Sequence, residues 1–134
     1  MSVAARDDGQ RGPRRIVVRA SESVVRVGEV TEVFGATDRV VVCLERNGAD
    51  LEELLVLRLR HGIYAMVNRC PHLERALDDG RVYGHILTCP GHGRSYNVRS
   101  GRAAGTLPGS GRSLLRRVRA WTDDGQLFLD ITGF

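Results

Sequence analysis

Lysine is missing from this chain of 134 residues: all 20 basic side chains are arginine, an imbalance that a GC-rich coding bias accounts for. Aromatic residues are scarce at 5%, so the core must be built mostly from Val, Leu and Ile. The arginines have no aromatic platform among them and no nucleic-acid motif accompanies the net charge of +4, which argues against a nucleic-acid partner. Three cysteines are too few, and odd in number, for a disulfide framework. Apolar runs are short: Val40–Leu44 spans five residues, far below the roughly 20 that a membrane span needs. The opening MSVAARDDGQRGPRR has no apolar stretch that could serve as a secretory signal. Together these absences predict a chain that works away from the membrane, in a reducing cytoplasm.

What is present has the texture of one small β domain. The length suits a single domain able to bury a core without disulfides or metal. Residues 1–27 carry six Arg against Asp7, Asp8 and Glu22, a balance of +3, and the rest carries 14 Arg against 13 acids. Residues 1–13 are polar, with Gly9, Gly12 and Pro13, and are predicted to be a disordered basic tail before a folded domain over 14–134. Ile16–Val18, Val24–Val27 and the β-branched run Val40–Leu44 are predicted strands. Leu54–Leu59 and Ile63–Val67 read as a hairpin about Arg60–His61–Gly62, with Leu55, Leu57 and Leu59 alternating along one face. Val82–Thr88 reads as a strand interrupted by Gly84, and Ser95–Val98 runs into a turn at Ser100–Gly101. Leu114–Trp121 and Leu127–Ile131 flank Asp123–Asp124–Gly125, a strong hairpin signal. A short helix is predicted about Asp50–Leu54. Many short strands with turns between them predict an all-β antiparallel sandwich or barrel.

Chemistry concentrates in Cys70–Pro71–His72 and Cys89–Pro90–Gly91–His92–Gly93. Each pairs a thiol with an imidazole on one short segment, and 16 residues separate His72 from Cys89. A proline after each cysteine fixes φ and removes a backbone donor, and Gly91 and Gly93 let the backbone approach a cofactor. Two arrangements use such a set. A Cys₂His₂ zinc site is one, although zinc motifs usually pair Cys with Cys and His with His. A 2Fe–2S cluster with both Cys on one iron and both His on the other is the second. Cys43 reads as a buried thiol in a strand, His61 as an exposed turn residue, His85 as a strand residue, and Trp121 as part of the core or sheet surface.

The stretch CPHLERALDDGRVYGHILTCPGHGRSYNVRSG resembles the Rieske signature, Cys-x-His followed by Cys-x-x-His. Leu73, Gly80, Gly93 and Tyr96 also fall where Rieske domains have such residues, and the likeness extends over residues 24–134. It implies a Rieske-type fold with a small cluster-binding subdomain, its loops at about residues 68–97. The implied cofactor is one 2Fe–2S cluster held by Cys70, His72, Cys89 and His92. Gly91, Gly93 and Tyr96 would tune it, Tyr96 by donating to a cysteine sulfur. The oxidised site would be neutral, since two ferric ions, two sulfides and two thiolates cancel. That raises its potential above all-cysteine clusters, into a range of ≈ −150 to +300 mV. Arg94 stands where high-potential members have Ser, which implies the lower half of that range. Arg75 and Gly91 occupy the positions where respiratory members have a loop-bridging disulfide, and Glu74 stands where Gly is common. These departures resemble the soluble ferredoxin type, which is a one-electron carrier and not an enzyme by itself. Its implied partners are a flavin-dependent reductase and a terminal oxygenase or reductase, docking at the His72/His92 tip. A small subunit of a nitrite reductase is the alternative within the family, and a zinc-binding interaction module the alternative outside it.

Overall fold

Turn chemistry sets the topology. In the computed structural model, which describes residues 12–71, 75–91, 93–104 and 114–134, strands β1 (Arg14–Arg19) and β2 (Val24–Glu29) precede a one-turn helix α1 (Val30–Phe34). Strands β3 (Arg39–Arg46), β4 (Ala49–Leu59) and β5 (Gly62–Val67) follow as consecutive hairpins. The β3–β4 turn is Asn47–Gly48, with φ of 53° and 79°, a pair of left-handed residues that matches strand twist. Strands β6 (Arg81–Tyr83), β7 (Ile86–Thr88), β8 (Ser95–Asn97) and β9 (Ala103–Ala104) come next, then β10 (Arg117–Asp123) and β11 (Gln126–Asp130). Asp124 and Gly125, φ 50° and 76°, make the β10–β11 turn expected from the sequence.

Two sheets result among the described residues. Seven strands in the order β1-β3-β4-β5-β10-β11-β2 form a nearly closed barrel, and β6-β7-β8-β9 form a smaller sheet. Pairing is antiparallel except between β1 and β3, which run parallel.

Several local expectations are corrected. Asp50–Leu54 is not helical; it lies within β4, because the Asn47–Gly48 turn folds it back along β3 as far as the Arg46–Ala49 pair. The helix is instead α1, where intrinsic propensity is low but Val33 and Phe34 are buried in the barrel core. Val82–Thr88 is not one strand; Gly84, at φ 61°, and His85 form a two-residue turn between β6 and β7. His85 is therefore a turn residue, and its ring stacks on His61 at 3.5 Å between centroids. Tyr64 Oη lies 3.3 Å from His85 Nε2, so the β4–β5 and β6–β7 turns meet. The β10 strand begins at Arg117, with Leu114 in an isolated bridge to Arg102. Cys43 is half-buried, and Trp121 lies on the sheet surface, stacked on Phe128.

Leu54, Leu55, Val56 and Leu57 are all buried because β4 is covered on both faces. Leu54 and Val56 point into the barrel with Val40, Val42, Ala65 and Val67. Leu55 and Leu57 point outward with Val41 and Met66, into a second core roofed by the small sheet. Alternation at period two holds, but both sides are apolar. That second core contains Cys70, Cys89 and Tyr96.

Candidate functional site

The two cysteines open loops of the same construction. Cys70 follows β5 and its N–H donates to the Arg75 carbonyl at 2.6 Å; Cys89 follows β7 and its N–H donates to the Arg94 carbonyl at 2.7 Å. Each loop thus runs from Cys-Pro to Arg and closes on itself by one backbone hydrogen bond across five residues. Both cysteines are essentially buried, while Pro71, Pro90 and Gly91 are exposed. Residues 72–74 and 92, and with them the predicted ligands His72 and His92, lie outside the described residues, as do residues 1–11 of the predicted tail.

The first loop is anchored by Asn68, a residue that no pattern in the sequence marks. Its Oδ1 accepts from Leu77 N–H at 3.0 Å and its Nδ2 donates to Asp78 Oδ1 at 3.0 Å, tying the two ends of the loop together. Asn68 and Asp78 are both buried, and each satisfies the other. Arg39, at the start of β3, donates from Nη1 to the carbonyls of Asp78 and Gly80 and pairs through Nε with Asp38 at 2.9 Å. The Asp38 carboxyl is held below its usual range, first by that bond from Arg39. At the base of the second loop, the hydroxyls of Thr88 and Ser95 lie 2.8 Å apart across β7 and β8.

Between the loops, glycine at 91 is a matter of space. A Cβ there would lie 2.6 Å from Arg75 Cδ and 3.3 Å from Arg75 Nε. The Arg75 stem therefore crosses from the first loop onto the second. Gly93 has φ 76°, a left-handed conformation in the second loop.

Tyr96, on β8, has no exposed surface, and its Oη lies 3.3 Å from Cys70 Sγ. Burial raises the phenol's pKa first, and the contact with Cys70 raises it further, so the hydroxyl keeps its proton. A cysteine that binds metal does so as thiolate, which accepts only; Tyr96 is then the donor. Two buried thiols with a neutral donor at one of them, under loops closed by backbone bonds, are a fit donor set for an iron–sulfur centre. Cys43 has different surroundings: burial raises its thiol pKa, and Arg15 and Glu53 flank it.

Comparison with known proteins agrees with this chemistry. The family model described as the Rieske [2Fe-2S] domain matches residues 15–119. No curated protein matches the sequence. Among solved structures, the ferredoxin of carbazole 1,9a-dioxygenase from Nocardioides aromaticivorans IC177 is 24% identical, with TM-score 0.63, covering 81% of this chain and 97% of that one. A complex of reduced oxygenase and oxidized ferredoxin in carbazole 1,9a-dioxygenase contains a chain 22% identical, with TM-score 0.64, over 83% of this chain and 95% of that one. The Sphingomonas yanoikuyae B1 ferredoxin is 24% identical, with TM-score 0.60, over 79% and 96%. At these identities the structural likeness speaks for the fold alone, and the family model carries the cofactor. With 105 residues matched, from β1 into β10, this chain belongs to the Rieske [2Fe-2S] domain family and takes one 2Fe–2S cluster.

Proposed function

We infer that this chain is a ferredoxin that carries single electrons from a flavin-dependent reductase to an oxygenase in the cytoplasm. The observation that carries the reading is the pair of buried thiols, Cys70 and Cys89, each at the root of a loop closed by a backbone hydrogen bond. The chain's similarity to solved ferredoxins of oxygenase systems, over 97% of one of them, supports the same assignment. Cys70 and Cys89 would hold one iron, and His72 and His92 the other, and the partner would dock at that end. When bound, the cluster supplies one-electron redox chemistry. The loop closures at Cys70–Arg75 and Cys89–Arg94 fasten the ligand roots by backbone hydrogen bonds.

Tyr96 donates to Cys70 Sγ and so favours the form with more negative charge on sulfur. Tyr96→Phe deletes that hydroxyl and little else. The reduction potential is expected to fall by on the order of tens of millivolts, where 59 mV is a tenfold change in a one-electron equilibrium. An unchanged potential would detach Tyr96 from tuning and leave the ligand assignment standing.

The test of the function is electron paramagnetic resonance of the dithionite-reduced protein. A rhombic signal integrating to a single spin per chain is expected, bleaching as air or an oxygenase reoxidises it. A colourless protein that carries zinc and gives no signal would overturn the reading in favour of a zinc module.

A further inference from the structure

Positive charge gathers in the sequence about the two loops. Residues 68–104, which carry both loops and the whole small sheet, have six Arg against three acids, a balance of +3. The seven barrel strands, with nine Arg against seven acids, are close to balance. The excess is not spread evenly over the small sheet. Cross-strand register sets Arg81 opposite Thr88, and Thr88 opposite Ser95, in the row from which the second loop leaves. Arg75 and Arg94 are the closing residues of the two loops. The Arg75 stem lies against Gly91, which carries its guanidinium toward the seam between them.

Neutralisation at this end is incomplete. Arg69 is paired with Glu52 at 3.0 Å, and the charge of Asp78 is buried against Asn68. Arg75 and Arg81 are exposed and form no ion pair among the described residues. Asp79 is the exposed acid nearest them in sequence among the described residues. Fields from clustered charge raise encounter rates by about 10- to 1,000-fold when the partner's sign is opposite.

We propose that the loop end of the small sheet is a cationic docking face, centred on Arg75 and Arg81, for an acidic protein surface on the redox partner. The inference rests on the electron-carrier reading, since it gives that docking event its chemistry. An acidic surface would be drawn to the arginines at this end, which orients the encounter before contact.

Small redox reagents of known charge test this on the full chain without the natural partner. The protein is reduced with dithionite and its oxidation by ferricyanide, an anion, or by tris(phenanthroline)cobalt(III), a cation, is followed by stopped flow. Raising ionic strength from 0.01 M to 0.15 M shortens the screening length from about 30 Å to about 8 Å. The ferricyanide rate is expected to fall by about tenfold over that range, and the cobalt rate to hold or rise. Poly-glutamate should slow the ferricyanide reaction at low salt. Arg81→Glu, and separately Arg75→Gln, which keeps most of the stem, should flatten the ferricyanide salt dependence. Arg119→Glu, on β10, makes the same change in net charge as Arg81→Glu and should leave the dependence largely intact. Equal effects from Arg81→Glu and Arg119→Glu, or a salt-independent wild-type rate, would overturn the docking face. So would binding to phosphatidylglycerol vesicles that Arg81→Glu abolishes, with no effect of poly-glutamate, which would assign the face to a membrane. A chain that shows no reducible chromophore fails earlier, at the carrier reading itself.

Discussion

Replacing Cys70 or Cys89 with serine is expected to abolish the visible absorbance and most of the bound iron. Serine keeps nearly the same shape but offers a hard hydroxyl in place of a soft thiolate, and iron–sulfur clusters are held by thiolates. Both positions are essentially buried, which keeps substitute ligands from solvent away. The barrel core is a separate cluster built from residues such as Val27, Val40 and Leu127, and its far-ultraviolet circular dichroism should persist in the variants. Cys43→Ser is the control: Cys43 sits on β3 beside Arg15 and Glu53, outside both loops, and its loss should leave the colour in place. Iron analysis per chain is the measurement, and full retention in both loop variants would remove the ligand assignment.

Among the described glycines, Gly80→Ala should be the most damaging change. A Cβ at position 80 would lie 2.5 Å from the Thr88 carbonyl oxygen, 2.8 Å from Leu87 Cδ1 and 2.9 Å from the Leu77 carbonyl oxygen. Two of these are backbone atoms, which cannot rotate aside as a side chain would. Relief requires moving either the end of the first loop or β7, which leads into Cys89, and Arg39 already holds the Gly80 carbonyl at 2.6 Å. Overpacking of this kind costs about 3 kcal/mol, which in a domain of this size lowers Tm by roughly 10 °C. The melting temperature and the rate of colour loss on warming are the readouts. A Tm within about 2 °C of wild type would mean that the turn relaxes freely, against the packing described here.

The roots of the two loops were legible in the sequence because their signals are local. Cys-Pro at 70 and 89, the spacing between the two segments and Asp124–Gly125 each act over a few residues, and chemistry or turn geometry fixes their meaning. The Asn47–Gly48 turn was not singled out, and Asp50–Leu54 after it was read as a short helix; pairing with β3 overrode that local reading. The parallel pairing of β1 with β3 leaves no local trace, because it joins segments more than twenty residues apart. Asn68 and Arg39 were missed for a related reason. Their partners are backbone carbonyls, amides and a carboxylate supplied by the folded loop, and neither has a distinctive spacing. Gly80 was marked by resemblance, but its physical reason, the crowding of three atoms about one Cα, is a tertiary fact. The continuous run Leu54–Leu57 looked like half of an alternating strand because nothing in it announces that a second sheet covers the outer face.

The way the loops are closed also frees them from the thiol poise of their surroundings. A cystine between them would be a two-electron couple set beside a one-electron centre, and its state would follow the glutathione pool or any strong reductant feeding the protein. Here each loop is shut by a peptide N–H on a carbonyl, and an arginine stem on a bare Cα fills the seam between them. None of these can accept an electron. Electrons entering at this end therefore meet no competing acceptor in the fastening, and the loops keep their shape under the same reductants that would cut a disulfide.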